Sequence, residues 1–348
     1  MKGYLYSLAT DRAKGFIASI IKVFLFIFSL IYGLVVRALI LFYRLWPSRL
    51  NCKVISVGNI TLGGTGKTSL VEFIARYLKQ QGHKVVILSR GYKRMHPETM
   101  GDEPYMLQMN LKDIPVIADA DRIRSGNRAI RDYGADTVIF DDGLQQWRIK
   151  KDLEIVTIDA TNPLGNRYLL PRGILRQPLS SLKRADVFVL TKTNLNADIE
   201  GIKDTLNKLN PSAMIIESIH QPLGFYDINK PQRAFDTETL KGKTAALFSG
   251  IGDPDSFEDL IIGLGINIGL SFRFTDHHNY TQEDLERIIK GSGDKNIDTI
   301  ITTQKDAARL HNLQLTTYNL QLLVLRIGLV IKKDEQGFYD RLLKLYSL

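Results

Sequence analysis

From about residue 52 onward, short apolar runs alternate with stretches whose apolar positions recur at helical spacing. The pattern predicts strands at 52–57, 84–89, 115–119, 136–141, 153–158, 186–191 and 212–219, with helices at 67–81, 122–133 and 198–209. Residues 220–242, with Pro222, Gly224, Asn229, Pro231 and Gly242, read as a linker. A second alternating unit follows: strand 243–249, helix 254–264, strand 268–274, helix 281–290, strands 297–303 and 320–331, and a last helix from Gly337. The expected class is α/β, a mostly parallel sheet at 46–219 followed by a smaller α/β domain at 243–348, whose last strand could return to the linker.

Ahead of this lies a different pattern. Phe16 to Val36 is 21 residues with one charge, Lys22, and apolar character resumes from Ala38 through Tyr43. As a helix it would extend roughly 31 Å, the thickness of a bilayer core. At 100° per residue, Ser19, Lys22, Ser29, Gly33, Arg37 and Arg44 share one narrow sector, which predicts a helix in the membrane interface with cations toward headgroups. Tyr43, Trp46, Arg44 and Arg49 sit where interfacial anchors belong. A spanning helix and a helix buried in protein are the alternatives.

Charge sharpens this picture. The 348-residue chain carries +9. Residues 1–71 hold nine Lys/Arg and one acid, Asp11, so nearly all the excess lies at the N-terminus. That favours a membrane surface and argues against nucleic acid as partner. The single cysteine, Cys52, excludes an intrachain disulfide. No obligatory protein partner is evident.

The segment Thr61-Leu62-Gly63-Gly64-Thr65-Gly66-Lys67-Thr68 lies between a predicted strand and a predicted helix, the setting of a phosphate-binding P-loop. Glycines let backbone N–H groups converge on phosphate, Lys67 would reach the β/γ-phosphates, and the Thr68 hydroxyl would hold Mg²⁺. Downstream, Thr137-Val138-Ile139-Phe140 ends in Asp141-Asp142, the form of a second metal-binding element. A nucleoside triphosphate and Mg²⁺ are therefore the expected ligands, with either aspartate as the metal ligand. Gly101-Asp102-Glu103-Pro104 reads as an acidic loop able to supply a base for a hydroxyl, and Asp276-His277-His278 and Thr302-Thr303-Gln304-Lys305-Asp306 as polar turns after strands. Thr191-Lys192-Thr193-Asn194 lacks the carboxylate of a guanine-reading box.

In order along the chain, these motifs resemble the tetraacyldisaccharide 4′-kinase family of lipid A biosynthesis. The likeness is carried by Val57-Gly58-Asn59 with residues 63–68, Ser89-Arg90-Gly91-Tyr92, Gly101-Asp102-Glu103-Pro104, Asp121-Arg122, Asp141-Asp142-Gly143 with Gln145, Leu170-Pro171-Arg172-Gly173, Leu175-Arg176, Gly250-Ile251-Gly252, Asp276-His277-His278 and Lys305-Asp306-Ala307. Gln146 stands where the family usually has His, and Arg172 and Ile174 alter a Pro-Ala-Gly-Pro stretch. The resemblance implies a P-loop kinase with two Rossmann-like domains, an active site in the cleft between them, and a membrane-associated N-terminal helix. It also implies γ-phosphoryl transfer from ATP to the 4′-hydroxyl of an acylated disaccharide 1-phosphate, at the cytoplasmic face of the inner membrane. On that basis Lys67 serves the phosphates, Thr68 with Asp141 or Asp142 the metal, and Asp102 paired with His277 (or His278) the sugar hydroxyl. Arg90, Arg122, Gln145 and Arg172 are candidates for the substrate. The rival reading is a membrane-recruited P-loop ATPase acting as a switch.

Overall fold

The computed structural model describes residues 2–90, 101–310, 313 and 320–347. Helices α1 (Lys2–Ala9) and α2 (Phe16–Leu45) precede β1 (Lys53–Gly58), α3 (Lys67–Gln80), β2 (Val85–Ser89), α4 (Asp102–Asn110), β3 (Val116–Ala118) and α5 (Arg122–Tyr133). Next come β4 (Thr137–Asp141), β5 (Leu153–Asp159), β6 (Val187–Thr191), α6 (Ile199–Leu209), β7 (Met214–Asp227), β8 (Lys230–Phe235) and β9 (Thr244–Ser249). The chain finishes with α7 (Pro254–Gly263), β10 (Asn267–Arg273), α8 (Gln282–Asp294), β11 (Thr299–Thr303), α9 (Gln304–Arg309), β12 (Gln321–Lys333) and α10 (Glu335–Leu343). Two compact units result: Met1–Lys93, Asn110–His220 and Leu329–Leu348 form the first, Arg94–Met109 and Gln221–Gly328 the second.

In the first unit the strands run in the order β7-β6-β5-β1-β4-β2-β3, with parallel registers throughout. Strands β1, β2, β4 and β6 are almost wholly buried, because helices cover both faces of a parallel sheet. Val54, Val86, Val138 and Phe140 pack in one core cluster, and Val156, Phe188, Leu190 and Leu206 in another. The last helix belongs here too, although the pattern placed residues 243–348 in one domain. Phe338 is fully buried, the Tyr339 ring stacks on Tyr77 at 4.0 Å, and Tyr346 shares a 2.7 Å hydrogen bond with Thr137.

The second unit orders its strands β10-β9-β11-β12-β7, with β8 off that path on β7. The expected linker is largely strand: β7 and β8 form an antiparallel hairpin in which Phe225 opposes Phe235. Pro231 is tolerated because β8 is an exposed edge. The expected loop at 101–104 instead opens helix α4. Pro104 falls in its first turn, where no N–H is needed, and Asp102 and Glu103 suit the positive end of the helix dipole.

Helix α2 corrects the reading of its polar stripe. Ala18, Ser29, Gly33 and Val36 are buried on the first unit, so the middle of the stripe faces protein rather than headgroups. Lys22 pairs with Asp11 at 2.8 Å, and the Tyr32 hydroxyl donates to the Arg176 carbonyl at 2.8 Å. A Cβ at Gly33 would lie 2.6 Å from Leu169 Cδ1, which explains the glycine. What remains outward is an apolar belt including Phe16, Ile20, Phe24, Ile27, Ile31, Leu34 and Leu41. Such a surface is far larger than a soluble face tolerates and fits a lipid boundary.

The belt makes a direct prediction. Ile27→Asp with Leu34→Asp, at positions 50% and 69% exposed, should lower partitioning onto anionic lipid vesicles by at least about tenfold, with an unaltered melting temperature. Unchanged co-sedimentation would remove α2 as the lipid contact.

Candidate functional site

The turn between β1 and α3 is held from below and open above. Thr61 bridges Leu175, the Leu62 N–H donates to the Ile174 carbonyl at 2.8 Å, and the Thr65 and Thr157 hydroxyls share a 2.7 Å hydrogen bond. Asn59 donates to the Thr61 carbonyl at 2.7 Å, and Gln145 donates to the Asn59 carbonyl at 3.0 Å. Gly63 and Gly66 have φ of 115° and 76°, a region costly for other residues. A Cβ at Gly63 or Gly64 would meet nothing within 4 Å, so this part of the turn leaves room for a ligand against bare backbone.

Charged side chains gather around this turn. The parallel register of β1 and β4 sets Val57 opposite Asp141, bringing the carboxylates that end β4 alongside the glycine turn that follows β1. Lys67 Nζ donates to Asn59 Oδ1 at 3.0 Å and lies 3.8 Å from Asp142. Arg176 grips Asp142 with two 2.8 Å bonds and reaches the same Asn59 oxygen at 3.2 Å. Burial alone would raise the Asp142 carboxyl; the Arg176 bond and the charges of Lys67, Arg176 and Arg122 hold it below its ordinary value. Arg122 is buried and donates to the Asp141 carbonyl at 3.2 Å. Burial lowers its guanidinium to about 10, against the pull of Asp141 and Asp142.

This donor set suits Mg²⁺. A hydroxyl at Thr68 and a buried carboxylate at Asp141 are hard oxygen ligands, and among the described residues no cluster of three or more His, Cys, Asp or Glu forms a metal cage of its own. Mg²⁺ bound through one or two carboxylates together with nucleotide phosphates matches that economy. Asp142 is gripped by Arg176 through two bonds.

A second cluster forms within the second unit. Asp102, at the start of α4, accepts from Arg309 Nε at 2.7 Å, and His277 Nδ1 lies 3.7 Å from the same oxygen. Asp102 and His277 are 39% and 47% exposed at their side chains while Arg309 is 4%, so the first two can meet a substrate and the third cannot. Behind them Asp306 is fully buried, accepting from the Tyr280 and Thr303 hydroxyls and the Gly250 N–H. Burial pushes its carboxyl above the ordinary value against the bonds from Thr303, Gly250 and Tyr280 and the charge of Arg309.

The sequence-predicted residues thus separate. Lys67, Thr68, Asp141 and the turn at 61–66 form one cluster with Arg122, and Asp102 with His277 another. His278 is engaged elsewhere, bonded to Asp284 at 2.8 Å beside the cap of α8. Gln145 braces the glycine turn through backbone. Arg172 pairs with Asp11 at 2.9 Å and lies over the Tyr168 ring, an anchor for the N-terminal helices. Arg90 is exposed at the end of β2, close enough to act on the Arg122 charge. Gly91 and Tyr92 of its motif lie outside the described residues. Sequence reasoning assigned no role to Asn59, Arg176 and Arg309. For Arg309 a signal existed: it lies three residues after Asp306, the spacing of neighbours on one helix face.

Comparison with known proteins points one way. The family model described as LpxK, tetraacyldisaccharide-1-P 4′-kinase, matches residues 21–347. The chain is 34% identical over 366 residues to the tetraacyldisaccharide 4′-kinase of Halothermothrix orenii, covering 95% of each. It is 36% identical over 307 residues to that of Elusimicrobium minutum, covering 82% of this chain and 80% of the relative. Among solved structures, LpxK from Aquifex aeolicus in complex with ATP superposes with a TM-score of 0.74 at 25% identity, covering 94% of this chain and all of that one.

The Arg176–Asp142 pair yields a pH prediction. The folded-state carboxyl is depressed, so the pair stabilises the protein above the unfolded carboxylate value of about 3.9. The contribution is lost as pH falls through the lower folded value. Arg176→Gln should therefore cost about 2 kcal/mol near neutrality, and the gap from wild type should close in acid. Denaturant titrations at the two pH values check this; a gap independent of pH would place the effect outside Asp142.

Proposed function

This chain belongs to the tetraacyldisaccharide-1-P 4′-kinase family and phosphorylates the 4′-hydroxyl of a tetraacyldisaccharide 1-phosphate to form lipid IVA, and we propose that it does so with the two residue clusters described above. The glycine turn and Lys67 hold the phosphates of ATP, the nucleotide bound in the Aquifex relative. Lys67, Arg176 and Arg122 bring positive charge to the turn that receives them. Thr68 and Asp141 would hold Mg²⁺, which would supply positive charge to offset that of the phosphates. Asp102 orients the 4′-hydroxyl and accepts its proton as the oxygen bonds to the γ-phosphorus; the bond to the β–γ bridging oxygen breaks and that oxygen leaves with ADP.

The observation that supports this reading most is the β1–β4 register, which sets Val57 opposite Asp141 and so brings the end of β4 beside the glycine turn, with Lys67 3.8 Å from Asp142. An acylated acceptor stays in a bilayer, so a membrane-associated enzyme must come to it. We assign the protein to the cytoplasmic face of the inner membrane as a monotopic enzyme, supported by the outward apolar belt of α2 and the exposed Arg37, Arg44 and Arg49 beside it.

Purified protein incubated with γ-labelled ATP and tetraacyldisaccharide 1-phosphate in mixed micelles should transfer label to the lipid. Hydrolysis of ATP with no label in the lipid would favour a switch ATPase instead.

A further inference from the structure

Arg309 has no part in the transfer as described, yet its guanidinium joins Asp102, His277, Asp306 and the Gly250 carbonyl. Nε donates to Asp102 Oδ2 at 2.7 Å, Nη2 lies 3.2 Å from His277 Nδ1, and Nη1 donates to the Gly250 carbonyl at 2.8 Å and to Asp306 Oδ1 at 3.0 Å. Asp306 is itself fixed by Tyr280, Thr303 and the Gly250 backbone. A rigid planar fork held from behind by a buried carboxylate has one orientation, and its front edge meets the two exposed side chains.

The contact with His277 has a chemical consequence. Arginine has donors and no acceptor, so a bond from Nη2 requires the Nδ1 lone pair. The ring proton then sits on Nε2. The alternative, an ion pair of protonated His277 with Asp102 across 3.7 Å, would set an Nδ1–H against the guanidinium. We propose that Arg309 is a positioning residue that orients the Asp102 carboxylate and holds His277 in its neutral, Nε2-protonated form. In that form His277 can donate to the acceptor sugar and cannot take its proton, which leaves Asp102 as the only proton acceptor of the pair. The inference rests on Asp102 serving the acceptor hydroxyl.

The test compares wild type, Arg309→Gln, Arg309→Lys and Asp102→Asn in full-length protein. Arg309→Gln should lower kcat about 100-fold while the KM for ATP moves by no more than about twofold. Arg309→Lys should recover less than about tenfold of the loss, because an ammonium cannot span the same partners. Long-range ¹H–¹⁵N spectra of the histidine rings, with His277 identified from the His277→Gln spectrum, should show Nε2–H in wild type and a tautomer mixture in Arg309→Gln. A wild-type His277 protonated on Nδ1, or Arg309→Gln with kcat within about threefold of wild type, overturns the proposal. If Arg309→Gln does not fold, the wild-type tautomer and Arg309→Lys decide. Asp102→Asn separates the two levels: full activity removes the acceptor reading and this inference with it, whereas an inactive Asp102→Asn beside an active Arg309→Gln removes the inference alone.

Discussion

The pairing of β1 with β4 is the constraint on which the cluster around the glycine turn depends. A parallel register fixes which residues end side by side, and here it sets Val57 opposite Asp141. The backbone beyond Val57 becomes the glycine turn, and the backbone beyond Asp141 becomes a tight turn with Asp142 at φ 60°. A slip of one residue would turn both sets of side chains to the other face of the sheet. The shape of the glycine turn therefore begins with the buried valines and isoleucines of β1 and β4.

Charge balance follows from that geometry. Lys67, Arg176 and Arg122 converge near Asp141 and Asp142, leaving these five side chains with a small positive excess. Without the carboxylates, three cations would repel one another where water is scarce. With them, the turn stays assembled and still favours a polyanion. The same loop reaches α2: Arg176 contacts the turn through its side chain and Tyr32 through its carbonyl, while Leu175 bridges Thr61. The segment 166–176 thus ties α2 to the glycine turn through hydrogen bonds.

Much of this was legible in the sequence wherever the signal is local. The glycine turn, the strand ending in Asp141 and helix 122–133 each carry their pattern in a dozen residues, and α5 begins and ends as predicted, capped by Asp121 and Gly134. Long-range contacts were the blind spot. Asp102 meets Arg309 across 207 residues, and nothing near either one announces the other. The final helix reads as part of the second domain until Phe338 and Tyr339 find α3. The polar stripe of α2 predicts a headgroup-facing edge, but a helix with two environments can spend small and polar residues on protein contact, as Gly33 and Ser29 do. His277 and His278 are adjacent in sequence, and only the neighbouring Asp102 and Asp284 separate their roles.

In the proposed reaction ATP is held by the β1–α3 turn and its cations while Asp102 acts on the acceptor alone. Calorimetric titration of ATP into Lys67→Ala and Asp102→Ala, with lipid phosphorylation measured on the same preparations, tests it directly. Asp102→Ala should bind ATP like wild type and lose about 10² to 10⁴ in kcat, while Lys67→Ala loses ATP affinity. Asp102→Ala losing ATP affinity in step with its activity would overturn this assignment and move that carboxylate to the nucleotide.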